Sequence, residues 1–291
     1  MIFDISHKTL YRYGAPVSQS RHLIHLSPRP FEWQTTRRHS LLIEPAPTAR
    51  IDSLDYFGNP TTQLSIDDEH VEFVIHARST IEVRGRASVA LAKSPRVDAI
   101  FGGLMGANLQ LDLDVLRFLS ASRHTMPSPA LAAYAGASLT PDRAVLDAAW
   151  DLTRRIFADF TFDNTSTDVS TPVAKVLKQR RGVCQDFAHL ALACLRIARI
   201  PARYVSGYLL TRPPEGKPKL KGADASHAWI SVWAPESGWV DFDPTNGSMP
   251  GPEHIAIAHG RDYDDVAPIS GVLLGGGKHT VSVAVDVNET A

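Results

Sequence analysis

The chain is poor in cysteine, with two in 291 residues. Two thiols do not make a disulfide framework, so the fold must rest on its core. It is also poor in net charge: 30 Lys and Arg stand against 31 Asp and Glu, a formal charge of −1. No global field then favours nucleic acid or an anionic membrane surface, and neither is expected as a partner. No run of about 18 apolar residues occurs, so no helical membrane span is expected. The opening MIFDISHKTLYRYG lacks a basic region followed by an apolar run and a small-residue cleavage site, so no secretory signal is expected there. These absences make the cytoplasm the simplest compartment. Internal repeats and low-complexity segments are missing too. Gly275-Gly276-Gly277 is neither G-x-G-x-x-G nor a P-loop, which argues against a phosphate-cradling loop. Cys184, His189 and His227 lack the paired spacing of zinc ligands, and no metal or other cofactor is expected.

What is present is an ordinary globular composition, 44% hydrophobic and 21% charged. The length suits one large domain or two of usual size. Residues 1–92 read as short β-rich runs separated by Pro, Gly and Asp turns: IFDISHKTLYRY, HSLLIEPA, TTQLSID, HVEFVIHARSTIEVRG and ASVAL. That spacing predicts an antiparallel β-sandwich domain, with a tight turn at Asp55-Tyr56-Phe57-Gly58-Asn59. Residues 93–140 read as a helical connector. A core domain is expected over 141–291, giving an α+β protein. Its first helix is marked by Val145, Leu146, Ala149, Leu152, Ile156 and Phe157. Thr171-Pro172 opens a short helix to about Gln179. Cys184 to Ala198 follows as another helix, and Pro201 ends it. RPPEGKPKLKGADA reads as a loop, within a 209–225 excursion. HAWISVW and GWVDFD read as strands, followed by two more near 254–258 and 279–287.

Cys184 falls in the first turn of its helix. Unpaired backbone N–H groups and the positive end of the helix dipole favour a negative charge there, and the same N–H groups suit an oxyanion. Cys194 lies on the apolar stripe of Phe187, Leu190, Ala191, Leu195 and Ala198, which fits a structural thiol. On one helix the two sulfurs are roughly 15 Å apart, too far for a disulfide. A nucleophilic thiol needs a base, and the base an orienting group. Alternation along HAWISVWAPESGWVDFD puts Ala228, Ile230, Val232, Val240 and Phe242 on one face. His227, Trp229, Ser231, Trp233, Trp239, Asp241 and Asp243 share the other. A turn near 234–238 brings His227 beside Asp243, give or take one pair. An imidazole beside a carboxylate has its tautomer fixed and its cation stabilised. Alternation alone does not choose between Asp241 and Asp243.

The order G-V-C-Q-D-F-A-H-L, P-A-R-Y-V-S-G-Y, S-H-A-W and F-D-P-T-N resembles the transglutaminase-like superfamily of bacterial Cys-His-Asp proteins. Y-R-Y-G-A-P-V-S-Q-S-R-H-L-I-H-L-S-P-R-P and Y-F-G-N resemble the β-rich N-terminal domain of bacterial members. H-I-A-I-A-H-G-R-D-Y-D-D-V-A-P resembles their C-terminal segment. The likeness covers most of the chain, and least residues 93–140. It implies a papain-like α+β core with Cys184 as nucleophile, His227 as base and Asp243, rather than Asp241, as orienting acid. Three positions depart from the pattern: Ser231 where many members have Glu, Arg199 where a Gly closes the helix, and Phe162 where a Tyr is frequent.

The resemblance implies acyl transfer from a peptide or protein amide through a thioester. Hydrolysis is the expected outcome. Transfer to an amine, as in cross-linking, is the alternative, and a non-catalytic peptide-binding module is the reading from another class. Trp229, Gln185 and Trp239 are candidate substrate contacts, with packing beneath the 209–225 loop as the competing role for the indoles. Oligomeric state has no signal in the sequence.

Overall fold

The computed structural model describes residues 1–104, 113–211 and 226–290. Five strands come first: β1 (Ile2–Ile24), β2 (Gln34–Glu44), β3 (Ala49–Leu54), β4 (Pro60–Ile66) and β5 (His70–Val83). Burial of Phe3, Ile5, His7 and Thr9 along β1 follows the two-residue period of a strand. Irregular pairing around Gly14-Ala15-Pro16 divides this 23-residue strand. Its first half pairs with β5 and its second with β4, in antiparallel fashion. Gly14 is needed there, because a Cβ would lie 2.9 Å from the Lys278 carbonyl oxygen. The expected turn at Asp55–Asn59 is present. Asp55 accepts from the backbone N–H groups of Phe57 and Asn59, and Gly58 has a φ of 77°.

The ASVAL segment, expected as a strand, is a loop ending in a 3-10 turn at Leu91–Lys93. The chain leaves the sheet near Gly85, so these β-prone residues have no strand to pair with. Four helices follow, α1 (Val97–Leu104), α2 (Leu113–Leu116), α3 (Pro129–Gly136) and α4 (Val145–Asp159). Next come β6 (Thr161–Phe162), α5 (Val173–Gln179), β7 (Arg181–Gly182) and α6 (Cys184–Ile197). Every residue of α6 from Asp186 to Arg196 is buried, which makes it the central helix of the core. Phe187, Leu190, Leu192 and Leu195 each contribute on the order of 2 kcal/mol by burial. Arg199 closes α6 in the left-handed region, at φ 57°, while the Ile200 N–H reaches the Leu195 carbonyl at 2.9 Å. The closure is the one a glycine favours, made here by an arginine stacked over Phe101.

Against α6 lies an antiparallel sheet of β8 (Ala202–Leu209), β9 (Ser226–Ala234), β10 (Gly238–Phe242) and β11 (His254–Gly260), in the order β10-β9-β8-β11. The expected 209–225 excursion falls mostly outside the described residues. The tail supplies β12 (Ile269–Gly275) and β13 (His279–Thr290), joined through Gly275, Gly276 and Gly277, all with positive φ. The sequence reading has strands near 254–258 and 279–287 within the 141–291 domain, joined by a link over 260–277, and so has one strand, β13, after β11. The structure has two, and both pair with β1 on the first sheet. The alternating Val-Ser-Val-Ala-Val-Asp-Val of β13 suits any half-buried edge, so nothing local says which sheet receives it. The β-rich N-terminal region is thus a curled seven-stranded antiparallel sheet completed by the tail.

The two sheets are locked through the outer edge of β11. Gln34 donates to the Ala256 carbonyl at 2.7 Å and accepts from the Ala256 N–H at 2.9 Å. Asn59 repeats this at His259, at 2.8 and 2.9 Å. Two side-chain amides thus satisfy an edge that would otherwise present open N–H and C=O groups. His7 Nδ1 and the Tyr208 hydroxyl add a buried hydrogen bond of 2.7 Å. No helix among the described residues is long and apolar enough to cross a membrane.

Candidate active site

Cys184 is the first residue of α6, a half-buried free thiol. Its helix start is fixed from behind. The Asp186 carboxylate accepts from the Val183 N–H at 2.8 Å and from the Thr167 hydroxyl at 2.6 Å. A Cβ on Gly182 would come within 2.6 Å of that carboxylate, so only glycine leaves room for the cap. Burial pushes the Asp186 carboxyl up, opposed by these two donors.

His227 lies near the start of β9, and Asp243 follows the end of β10. Phe242 pairs with Ile230, so continuing the register sets Asp243 opposite Trp229. His227 is two residues beyond Trp229 on the same face, and its side chain meets that of Asp243 on the diagonal. His227 Nε2 lies 2.8 Å from Asp243 Oδ2. The remaining ring nitrogen, Nδ1, is the one left for the sulfur, and Cys184 is near enough to act on the charge of the imidazole. Burial works against the imidazolium, but the hydrogen bonds and charges of Asp243 and Cys184 outweigh it and push His227 up to about 10.

Asp243 is fully buried and heavily solvated by protein. Besides His227, its Oδ2 meets His254 Nε2 at 3.1 Å and Asn246 Nδ2 at 2.7 Å. Its Oδ1 accepts from the N–H groups of Thr245 and Asn246 at 2.9 and 3.2 Å. Burial alone would raise its carboxyl; the donors, His227 first, hold it well below the usual carboxylate range. Gly251 N–H points at His254 Nδ1 at 3.3 Å, which makes that nitrogen the acceptor and Nε2 the protonated one. His254 therefore donates from Nε2 to Asp243.

The structure separates the two aspartates that alternation left equivalent. Asp241 Oδ2 accepts from the Trp229 indole at 3.2 Å and lies 3.4 Å from Arg86 Nη2, while His227 turns to Asp243. Trp229 itself is completely buried, edge-on to His254 with ring centroids 5.4 Å apart. It has no surface to offer a substrate, because Phe31 and Trp33 of the N-terminal half cover the face that alternation left open. Trp239 carries the Arg203 guanidinium 4.3 Å over its ring and packs edge-on against Phe118, on a cavity apart from the thiol. Gln185 sits beside Cys184, its amide 3.4 Å from the Val169 carbonyl. Ser231 is buried with an unpartnered hydroxyl, and Phe162 is exposed, on β6 opposite Gly182 of β7.

Sequence reasoning missed His254, Asn246, Asp186 and Thr167. Asp186 had a signal, an acid three residues after the helix cap. His254 had none in spacing, because its partner lies across a turn and at the other edge of the sheet.

Comparison with known proteins follows this geometry. The family model for the bacterial transglutaminase-like N-terminal region matches residues 3–82, and that for the transglutaminase-like superfamily matches residues 131–244. An uncharacterised protein of Mycobacterium tuberculosis is 38% identical over 297 residues, covering 98% of this chain and 92% of its own. A protein-glutamine gamma-glutamyltransferase of Pseudomonas aeruginosa is 38% identical over 98 residues, 31% of this chain and 14% of that protein. A crystal structure from Cytophaga hutchinsonii, of a protein proposed to be a cysteine protease, shares the fold. Its TM-score is 0.76 at 23% identity, covering 100% of this chain and 92% of that one.

Proposed function

The chain belongs to the bacterial transglutaminase-like superfamily, and on that premise we propose that it is a thiol-dependent acyltransferase acting on amide bonds, with water as the usual acceptor. Cys184 is the nucleophile, His227 the acid and base, and Asp243 the group that orients His227. The observation that carries this reading is the hydrogen bond of His227 to the buried Asp243, with Cys184 at the start of α6 near enough to help raise the imidazole. The sulfur passes its proton to the imidazole as it becomes the nucleophile. The sulfur adds to the amide carbonyl carbon, and the C–N bond breaks as His227 gives its proton to the leaving amine. Water then attacks the thioester, losing a proton to His227, and the C–S bond breaks to release acid and regenerate the pair. Asp243 stays ionised throughout and stabilises the imidazolium.

Intact-mass spectrometry after exposure to a peptide-amide library or an electrophilic acyl probe tests this. The expected result is one acyl adduct, mapped to Cys184 and accumulating in His227→Ala when the acyl donor is activated. Iodoacetamide labelling of Cys184 that is identical in wild type and His227→Ala, with no adduct, overturns the reading. Transfer to an amine is a second reading, favoured by the 98-residue likeness to the Pseudomonas glutamyltransferase. Adding a primary amine to the same reaction separates the two by the mass of the product.

A further inference from the structure

A cavity of about 580 Å³ lies between the segment that leaves β5 and strands β8 and β10. Its inner polar groups are Arg86, Arg203 and Asp241. Arg86 lies 3.7 Å over the Trp33 ring and donates through Nη1 to the Gly251 carbonyl. Its Nε and Nη2 are buried with no hydrogen-bond partner, although Nη2 is 3.4 Å from Asp241. Arg203 lies over Trp239, and its Nε is likewise buried and unpartnered. Nε is thus the Arg203 guanidinium nitrogen that is buried without an acceptor. Burial pulls Arg203 down to about 9, a shift that Asp241 opposes and Arg29 reinforces.

Arg196 shows what this chain does with a buried guanidinium that is purely structural. Its nitrogens reach the carbonyls of Phe118, Ala202 and Arg261 and the hydroxyls of Ser122 and Thr125. Arg203 has none of these. A buried cation without acceptors is costly, and an anion in the cavity removes that cost. The lining carries Arg84, Arg86 and Arg203 against Glu32 and Asp241, three positive charges to two negative, so one charge is uncompensated. That balance calls for a singly charged ligand rather than a phosphate dianion. A guanidinium matches a carboxylate through two parallel N–H donors. Val89, Val205, Val240 and Ala256 beside the two indoles give the cavity an apolar wall, and Glu32, Arg84, Ser88 and Ser237 add polar groups to the lining. The volume is that of a small-molecule site.

We propose that this cavity binds a small organic monoanion, a carboxylate on an apolar body, with Arg203 holding the carboxylate. The proposal is independent of the acyl-transfer reading and is tested in Cys184→Ala protein, where no turnover enters. The probe is 3-phenylpropionate, with 3-phenylpropionamide and inorganic phosphate as controls, followed through the Nε–H resonances of 15N-labelled arginine. The expected result is a saturable shift of the Arg203 resonance with phenylpropionate alone. Calorimetry should show at least tenfold weaker binding in Arg203→Gln, and intermediate affinity in Arg203→Lys. Arg86→Gln serves if Arg203→Gln does not fold, and should also weaken binding. No shift at millimolar probe, an equal shift with the amide or with phosphate, or unchanged affinity in the folded variants overturns the proposal.

Discussion

Asp241 and Asp243 stand two residues apart, on the same side of one strand end, yet their surroundings differ in kind. Asp243 is fully buried and accepts from two histidines, an asparagine side chain and two backbone N–H groups. Asp241 meets an indole N–H and a guanidinium at the edge of a cavity. The difference lies in the neighbours: a turn after β10 and the start of β11 converge on the first carboxylate, while β8 and the N-terminal half enclose the second. Identical side chains acquire different work from what reaches them.

The largest expected contrast is in rate. Asp243→Asn should lower turnover about 10³- to 10⁴-fold by misdirecting the imidazole, while Asp241→Asn, measured in the same assay, should cost less than tenfold. Equal losses would erase the distinction. Stability should separate them as well: in urea melts Asp243→Ala should cost about 3–5 kcal/mol, the loss of one partner from a buried charged pair. Asp241→Ala should cost about 1–3 kcal/mol.

The dependence on pH sharpens the Asp243 side. His227 is raised from 6.5 to about 10 in the folded state. Its contribution is complete below about pH 6.5 and is lost as the pH rises through 10. Asp243 is shifted the opposite way from 3.8, so its contribution is present above about pH 4 and is lost on acidification. The stability difference between wild type and His227→Gln should therefore be greatest between about pH 4 and 6.5 and shrink toward pH 10. A difference that grows with pH would refute the pairing. A smaller effect is expected for His254→Gln, a loss of about 10- to 100-fold in turnover through a less firmly held Asp243. It should fall on kcat more than on KM. Smallest, Trp229→Phe should cost about 1 kcal/mol, the indole hydrogen bond to Asp241, with the ring packing retained.

Much of this was legible in the chain because the signals are local. A helix first turn at Cys184 and a two-residue alternation around His227 and Asp243 need only a few neighbours to read. Alternation failed at Trp229, because a polar face is open only if nothing else covers it, and Phe31 and Trp33 come from far upstream. It failed again for Asp241 against Asp243, where the choice depends on a diagonal contact beyond the end of the ladder. The tail strands failed for a related reason: Val281, Val283 and Val285 announce a strand but not its partner. His254 and Arg203 gain their meaning only from groups brought in by the tertiary fold.

The pairing of β1 with β12 and β13 joins strands more than 240 residues apart along the chain in one sheet. During synthesis on the ribosome the thiol helix emerges well before the strands that complete that sheet. Contacts spanning nearly the whole length form last and slowly. The newborn protein is thus held unfinished until β12 and β13 have emerged, and a stop near residue 269 would release a molecule with Cys184, His227 and Asp243 all present but one edge of β1 left bare.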